Sequence, residues 1–478
     1  PEPVRDASPA RARPRAGRGP CPCARRGPCA LQVRLIVTAV ALATAGVASV
    51  ANAAGTASSS DSVNAAPDLA SAARTILGAG QGVYVEASDG TVLVAQAAAQ
   101  AVQPASVSKV PSTLALLAKL GPDYRFETRF AWRGSIMDGA LQGDLTVRGD
   151  GDISLVDEDA LLVVQRLNEL GIRRIAGIVR SSGSLTFDWQ PDPGGVRLQR
   201  ALGGHASIAA WRVVSELTRG EPGIAAARGP PAVSFVRAPA GGARIAPAAL
   251  ETPHAFAAPP GTASAVASHE LVYRSQPLLP LLKSLNDYSN NIFDSLVDAI
   301  GGAAAVQALA RSRVPSDLRD EITLADAAGA DSRNRLSPRT AVRLLRALES
   351  QLASTGHALT DVLPVAGVDP GTLEARFDGP GEAGRVVGKT GTYGSYGASA
   401  LVGAIRTRDH GTVYFAILDH GIPVPEARRR QDRFVRALLT RYGTASWPYH
   451  PDGRSAVARS QIVVLDRDTA VRAQSVTR

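Results

Sequence analysis

The chain has 478 residues, enough for two or three domains, and its 45% hydrophobic and 20% charged residues are typical of a globular protein. Its net charge of +9 does not indicate nucleic-acid binding, because residues 1–53 contribute +6 of that charge. All three cysteines also lie in this segment, so we expect no disulfide in the rest of the chain and assign no metal site to them. No later segment offers 18 uncharged apolar residues, and we expect no integral membrane span there.

The N-terminal segment has the pattern of an export signal. Residues 1–34 are rich in arginine, residues 35–50 are uncharged and mostly apolar, and Ala51-Asn52-Ala53 is an A-x-A cleavage site. We expect residues 1–53 to be a signal peptide with an over-extended N-terminus, whose true start lies near Leu31 or Val33. The mature chain would then begin near Ala54 and be exported to the periplasm or the cell wall.

Periodicity and turn residues predict the elements of the first half. After a linker rich in Ser, Ala and Gly, they are a helix at 68–77, a hairpin of strands 82–88 and 91–95, and an apolar helix at 107–120 that begins just after Ser106. A β-rich block follows, with short strands at 126–133, 145–148 and 177–187 and one helix at 159–170. Residues 238–267 are rich in Pro, Ala and Gly and are predicted to form loops.

Helices return in the second half, where the predicted elements are helices at 278–300 and 339–352, a three-strand meander at 385–392, 398–407 and 412–418, and a closing helix at 425–442. A possible strand at 461–465 lies in the tail. The order helix, sheet, helix predicts an α/β sandwich that is split in sequence by an insertion. We expect a catalytic domain of residues 54–122 and 269–442, a β-rich insertion domain of residues 123–268, and a C-terminal tail of residues 443–478.

Lysine is rare in this chain, which makes its positions informative. Of the 52 basic residues only four are lysines, and two of those lie in short hydroxyl-rich motifs. A lysine amine can lose its proton in a buried site, whereas arginine stays charged, so lysine can act as a base. Ser106-Val107-Ser108-Lys109 reads S-x-x-K, and Lys389-Thr390-Gly391-Thr392 reads K-T-G-T.

Ser289-Asn290-Asn291 reads S-x-N and lies between these two motifs. A single short motif recurs by chance, but the ordered set of three indicates a serine acyl-transfer enzyme. The predicted catalytic residues are Ser106, Lys109, Ser289, Asn291 and Lys389.

The chemistry of acyl transfer assigns a role to each of these residues. Lys109, one helical turn after Ser106, is expected to take the proton of the serine nucleophile, with its pKa lowered by the charge of Lys389. Ser289 is the expected proton relay to the leaving amine, and Asn291 is expected to hold the lysine and the substrate peptide.

The second lysine motif is expected to bind substrate. Lys389, Thr390 and Thr392 lie on a predicted edge strand and suit a terminal carboxylate. The backbone N–H groups of Ser106, at a helix start, and of a strand residue near Thr392 are expected to stabilise the oxyanion.

Other chemistries have little support. The seven histidines show no H-E-x-x-H motif or close pairing, so no zinc site is predicted. A Ser-His-Asp hydrolase would need a G-x-S-x-G motif, which the chain lacks. Gly149-Asp150-Gly151-Asp152 is better explained as a tight turn than as a calcium or phosphate loop. We expect no metal and no cofactor.

These motifs and several further blocks resemble the class C low-molecular-mass penicillin-binding proteins, the D-alanyl-D-alanine carboxypeptidase/endopeptidase family. The blocks cover most of residues 68–442, and they are Pro104-Ala105-Ser106, Leu120–Phe126, Gly149–Asp152, Arg333–Pro338, Leu363–Asp369 and Gly371–Leu373. The resemblance implies a penicillin-binding-protein transpeptidase-like (serine β-lactamase-like) α/β sandwich. It also implies that Ser106, Lys109, Ser289, Asn291 and Lys389 are catalytic, and that Thr390, Gly391 and Thr392 shape the substrate and oxyanion positions.

By this resemblance the substrates are peptidoglycan stem peptides and cross-links, and β-lactam antibiotics are acylating inhibitors. Two departures from the family pattern lie near the motifs. Asp326-Ala327-Ala328-Gly329 lacks the hydroxyl of the usual D-x-S-G, and Asp369-Pro370-Gly371 carries a proline where V-D-G-T is usual. A β-lactamase and an inactive peptidoglycan-binding relative remain as alternatives, although no deacylating glutamate can be placed and no motif residue is missing.

Overall fold

The structure is a computed structural model that describes residues 68–219, 230–236, 268–394, 397–408 and 410–466. The predicted signal peptide, its linker and the three cysteines lie outside the described residues. So do residues 238–267, the segment predicted to form loops.

The helices predicted at 68–77, 107–120, 159–170, 339–352 and 425–442 are present to within two residues at each end, whereas Val196–Arg200, Ile208–Leu217, Gly302–Ser312 and Ala456–Arg459 were not predicted. In the part of the chain that the structure describes, the helices are α1 (Leu69–Leu77), α2 (Lys109–Leu120), α3 (Asp157–Glu169), α4 (Val196–Arg200), α5 (Ile208–Leu217), α6 (Leu278–Asp287), α7 (Phe293–Val297), α8 (Gly302–Ser312), α9 (Pro338–Ala353), α10 (Val424–Tyr442) and α11 (Ala456–Arg459). Local signals explain where they begin and end. Ser337 accepts a hydrogen bond from the Thr340 N–H at the start of α9, and Gly121, with φ of 86°, ends α2.

The strands of the first half of the chain are β1 (Gly82–Ala87), β2 (Val92–Gln96), β3 (Glu127–Arg133), β4 (Ile136–Met137), β5 (Ala140–Leu141), β6 (Leu145–Asp150), β7 (Arg174–Ile175), β8 (Val179–Ser184), β9 (Thr186–Phe187), β10 (Gln190–Pro191) and β11 (Ser234–Phe235). Those of the second half are β12 (Ser268–Arg274), β13 (Ile322–Thr323), β14 (Arg335–Leu336), β15 (Val386–Tyr393), β16 (Ala398–Thr407), β17 (Thr412–His420), β18 (Thr444–Ala445) and β19 (Gln461–Asp466). The predicted hairpin and the predicted three-strand meander are both present.

The main sheet has the strand order β15-β16-β17-β1-β2, with β18 paired to the end of β16. All of these pairings are antiparallel. Successive residues of β17 alternate between two apolar cores: Phe415 packs with Leu77 of α1 and Phe434 of α10, and Ala416 packs with Leu114 of α2 and Leu345 of α9. The sheet is therefore covered by helices on both faces, which confirms the predicted α/β sandwich.

A second sheet has the strand order β19-β12-β3-β6-β8. Its apolar face packs against α3, and Phe130 and Val147 lie in the same core as Val163 and Leu167. Three of its strands belong to residues 123–268, the predicted insertion domain, but β12 crosses the predicted boundary and β19 comes from the predicted tail. β12 and β19 therefore belong to the second sheet by strand pairing. The division of the chain into domains stays a prediction.

The prediction of one helix over 278–300 was wrong. The structure ends α6 at Asp287 and begins α7 at Phe293, and the S-x-N motif lies on the turn between them. Ser289 has φ of 54°, a left-handed conformation that no α-helix contains, and Asn290 Oδ1 accepts the Ile292 N–H at 3.0 Å. The asparagine side chain thus replaces a helical hydrogen bond and starts the next helix.

Within the described residues, no single helix has both the length and the apolar character needed to cross a membrane. One bent pair, Phe293–Ile300 with Gly302–Ser312, passes that test on length and composition.

Candidate active site

Ser106 lies on the 3-10 turn Ala105–Ser108, which leads directly into α2. The side chain of Ser106 is partly exposed, and Lys109, the first residue of α2, is fully buried. Lys109 Nζ lies 2.8 Å from Ser106 Oγ, 3.1 Å from Asn291 Oδ1 and 2.5 Å from the carbonyl oxygen of Ala328. Lys109 therefore joins two other predicted site residues, Ser106 and Asn291.

The surroundings of Lys109 favour its neutral amine. Burial lowers its pKa to about 8, and the carboxylates of Asp326 and Asp294 oppose that change without contacting the amine. A neutral amine has two N–H hydrogens and one lone pair. Because two of its neighbours are carbonyl acceptors and the third is the Ser106 hydroxyl, the lone pair can accept the hydroxyl proton. This is the geometry of a base beside its nucleophile.

The loop from Asp326 to Asp331 forms the floor under Ser106. The carboxylate of Asp326 accepts the backbone N–H groups of Gly329 at 2.6 Å, Ala330 at 2.8 Å and Asp331 at 2.5 Å. Gly329 has φ of 87°, and a Cβ atom there would lie 2.0 Å from the carbonyl oxygen of Ala105. The missing hydroxyl at Ala328 leaves the contact with Lys109 intact, because that contact uses the backbone carbonyl.

Ser289 and Lys389 form the second serine and lysine pair. Lys389 lies on β15 and is fully buried, and its Nζ is 2.9 Å from Ser289 Oγ and 2.9 Å from the carbonyl oxygen of Thr390. Burial lowers the pKa of Lys389 well below its usual value, the charge of Lys109 lowers it further, and the carboxylate of Asp287 opposes both. The effect runs opposite to the one expected from the sequence, since the charge of Lys109 lowers the pKa of Lys389 while burial lowers the pKa of Lys109.

The K-T-G-T segment lies on the outer strand of the main sheet, next to the Ser106 turn. A Cβ atom at Gly391 would lie 2.6 Å from the carbonyl oxygen of Pro104, so only glycine lets the strand pass this close. Thr390 is nearly buried and Thr392 is exposed at the open edge. Arg428, on α10, donates to Thr392 Oγ1 at 2.9 Å.

A cavity of about 310 Å³ continues from the end of β15 past Gln103, Arg335 and Tyr393. Gln103 and Arg335 supply donors and positive charge to this cavity, which none of the predicted site residues lines. Among the residues that the structure describes, no group of three or more His, Cys, Asp or Glu side chains is placed to hold a metal ion. The chemistry that this site can perform is proton transfer and nucleophilic attack by serine.

Sequence reasoning did not identify two features of this site. The Ala328 carbonyl is a backbone group 219 residues from Lys109, and no side-chain pattern predicts it. Arg428 is one of three consecutive arginines on α10, where composition alone does not separate the residue that reaches the sheet from its neighbours. Helical periodicity does not separate them either, because Arg428 is four residues from the buried Val424 and Arg430 is three residues from the buried Ala427.

Comparison with known proteins gives one family and a consistent fold. The sequence model of the D-Ala-D-Ala carboxypeptidase 3 (S13) family matches residues 65–194 and 257–441. A predatory endopeptidase from Bdellovibrio bacteriovorus, acylated with penicillin G and in complex with an immunity protein, is 21% identical, with a TM-score of 0.63 and coverage of 80% of this chain and 99% of that chain. Penicillin-binding protein 4 from Haemophilus influenzae is 18% identical, with a TM-score of 0.53 and coverage of 79% and 100%. These structures share the fold of this chain, and the predicted fold class is confirmed.

Proposed function

The chain belongs to the D-Ala-D-Ala carboxypeptidase 3 (S13) family, and we propose that it is a serine-type D-Ala-D-Ala carboxypeptidase and D,D-endopeptidase. Its substrates are the stem peptides and cross-links of peptidoglycan. The observation that carries this proposal is the placement of Lys109 Nζ, 2.8 Å from Ser106 Oγ and otherwise surrounded by carbonyl acceptors. That arrangement supports a serine nucleophile with its own base.

Acylation begins when Lys109 accepts the proton of Ser106 as Oγ attacks the carbonyl carbon of the penultimate D-alanine. The tetrahedral oxyanion is stabilised by backbone N–H groups of Ser106 and of the strand near Thr392. Each donor of this kind contributes about 3 kcal/mol in comparable sites. Asn291 keeps the amine of Lys109 directed at Ser106.

Collapse of the intermediate breaks the C–N bond and requires a proton on the leaving nitrogen. Ser289 gives its hydroxyl proton to that nitrogen and takes a proton from Lys389, which lies 2.9 Å away. In hydrolysis a water molecule attacks the acyl group and its proton returns to Lys389 through Ser289. Lys109 gives its proton back to Ser106 Oγ, so the enzyme is regenerated with no net change in protons.

The terminal carboxylate of the substrate binds at Lys389, Thr390, Gly391 and Thr392. A carboxylate beside Lys389 supplies the counter-charge that the buried ammonium lacks in the free enzyme, and it therefore favours the protonated lysine. A β-lactam carries a similar carboxylate next to its reactive amide and would acylate Ser106 in the same way. We further propose that the protein is exported and works at the cell wall.

Ser106→Ala tests this proposal. The mature chain should release D-alanine from a stem pentapeptide and retain a penicilloyl adduct on Ser106, detected by mass spectrometry of the labelled peptide. Ser106→Ala should lose both activities while its circular dichroism spectrum stays unchanged. Ser350→Ala, at an exposed position of α9, is the control and should keep both, and a chelator should change neither.

Each other outcome points to a different function. Labelling that survives in Ser106→Ala would place the nucleophile elsewhere. Rapid penicillin turnover without release of D-alanine would make the protein a β-lactamase. The absence of both reactions in the unmutated chain would favour a peptidoglycan-binding protein without activity.

A further inference from the structure

A third lysine, partly buried, lies behind the S-x-N turn. Lys283 belongs to α6, its side chain is 13% exposed, and its amine has two hydrogen-bond acceptors and one further carboxylate nearby. Nζ donates to the carbonyl oxygen of Leu363 at 2.7 Å, contacts Asp287 Oδ1 at 3.3 Å and pairs with Asp369 Oδ2. The ring of Tyr449 faces the same amine, with its centroid 5.0 Å away. Two N–H hydrogens of the ammonium are therefore hydrogen-bonded, and Asp287 Oδ1, which has no hydrogen-bond partner, adds a charge contact.

Asp369 is the centre of this cluster and is 2% exposed. Its Oδ2 atom accepts the Val365 N–H at 2.7 Å as well as the lysine, and its Oδ1 atom accepts the Tyr449 hydroxyl at 2.8 Å. A buried carboxylate is tolerated where its lone pairs are satisfied in this way. We call Lys283, Asp369 and Tyr449 the lysine unit.

The lysine unit is attached to the turn that carries Ser289. Asp287 ends α6 two residues before Ser289, and its carbonyl oxygen accepts the Thr372 N–H at 2.9 Å. A Cβ atom at Gly371, whose φ is 98°, would lie 2.3 Å from the same carbonyl oxygen. The loop that follows Asp369 is therefore packed against the backbone immediately before the serine. Ser289 holds a left-handed conformation that needs such support.

The lysine unit includes Tyr449, which lies beyond residue 441, the last residue matched by the family model. Trp447 donates its backbone N–H to the carbonyl oxygen of Gly384 at 2.9 Å and its Nε1–H to that of Arg385 at 3.1 Å. Arg385 precedes β15, the strand of Lys389. Residues 444–449 thus touch the start of that strand and, through Tyr449, the loop behind Ser289.

We propose that the lysine unit is a positioning device that fixes Ser289 for proton transfer to the leaving nitrogen, and that the C-terminal segment takes part in it through Tyr449. This inference rests on the proposed function. Lys283 and Tyr449 are not catalytic residues, because they act on the reaction through the Ser289 turn. A displaced Ser289 would slow the protonation of the leaving amine and leave nucleophilic attack by Ser106 unchanged.

Substrates with different leaving groups separate this role from a general loss of structure. A peptide amide needs a proton on its leaving nitrogen, whereas a thioester with the same acyl part releases a thiolate that needs none. Tyr449→Phe removes one hydroxyl and should reduce kcat for the amide by about tenfold, in the range that small displacements of catalytic groups produce. KM for the amide and the acylation rate of the thioester, measured as the first turnover of thiol release before deacylation, should change by less than about twofold.

Two further variants make the test decisive. Lys283→Met should show the same pattern with a larger loss of kcat for the amide. If the Lys283→Met variant does not fold, Tyr449→Phe alone provides the test. Tyr442→Phe is the matched control, since Tyr442 ends α10 and packs against His410, away from the unit. It should leave both substrates unaffected.

Equal losses of rate for the amide and the thioester in Tyr449→Phe would overturn the inference and give the lysine unit a purely structural role. An unchanged rate for both substrates would overturn it as well. Failure of the proposed function is a separate result, because the unmutated chain would then not hydrolyse the amide at all.

Discussion

The rate at which a penicillin acylates Ser106 is expected to rise steeply between pH 6 and pH 8. Lys109 must be neutral to accept the proton, and burial sets its pKa at about 8. The neutral fraction is then about 1% at pH 6 and about 50% at pH 8, so the second-order acylation constant should increase by about 50-fold. The sign follows from the base role, since raising the pH removes the proton that blocks attack.

Asp294→Asn changes this profile in a defined direction. The carboxylate of Asp294 raises the pKa of Lys109, so its removal should move the rise to lower pH and increase acylation at pH 6. The substitution keeps an oxygen that can accept the Ala327 N–H, which Asp294 Oδ1 now accepts at 2.7 Å. The local backbone should therefore stay in place.

Stopped-flow measurement with a fluorescent penicillin at constant ionic strength would give the acylation constants. Asp138→Asn, a change of the same charge in a turn of the β-rich region, should leave the profile unmoved. Lys109→Arg should not be acylated at any pH in this range, because a guanidinium does not release its proton. A flat profile for the unmutated chain, or a rise that Asp294→Asn moves to higher pH, would refute the assignment of Lys109 as the base.

Two further predictions concern the walls of the site. Arg428→Gln should reduce the preference for a substrate with a free terminal carboxylate over its carboxamide by about fivefold to tenfold, because Arg428 donates a hydrogen bond to Thr392 at the proposed carboxylate site. The control Arg429→Gln, on the next residue, should keep this preference. An unchanged preference in Arg428→Gln would exclude this role. Gly329→Ala places a Cβ atom 2.0 Å from the carbonyl oxygen of Ala105 and should abolish penicillin labelling; labelling at the normal rate would show that the Ser106 turn does not depend on this contact.

Local periodicity was sufficient to predict most strands of the main sheet and the longer helices that cover it. The meander was predictable because β17 is apolar along nearly its whole length, and a strand that buries both faces needs such a sequence. The pairing of β12 with β19 was not predictable, since 187 residues separate the paired Arg274 and Gln461 and neither strand carries a signal for its partner. Pairing of distant strands depends on which edges remain free after the rest of the chain has packed.

The candidate site also has some contacts that the sequence predicts and others that it does not. Ser106 and Lys109 are one helical turn apart, so their contact follows from the sequence. The turn at Ser289 does not, because the pattern of 278–300 is apolar at helical spacing and the break depends on the side chain of Asn290. The floor provided by Ala328 depends on a distant loop that Asp326 folds onto itself, and three of the bonds that fold it use backbone N–H groups.

Three of the four lysines, Lys109, Lys283 and Lys389, are largely withdrawn from solvent, and each has a different charge environment. Lys283 contacts two carboxylates, so its charge is balanced and it can serve as a fixed support. The hydrogen bonds of Lys109 are to carbonyl and hydroxyl oxygens, and its burial without a carboxylate in contact favours the neutral amine. Lys389 also lacks a carboxylate in contact, and in the proposed reaction the substrate supplies one. In the proposed mechanism, the counter-charge beside each amine, more than its depth in the protein, therefore determines whether that lysine supports the structure, accepts a proton or binds the substrate.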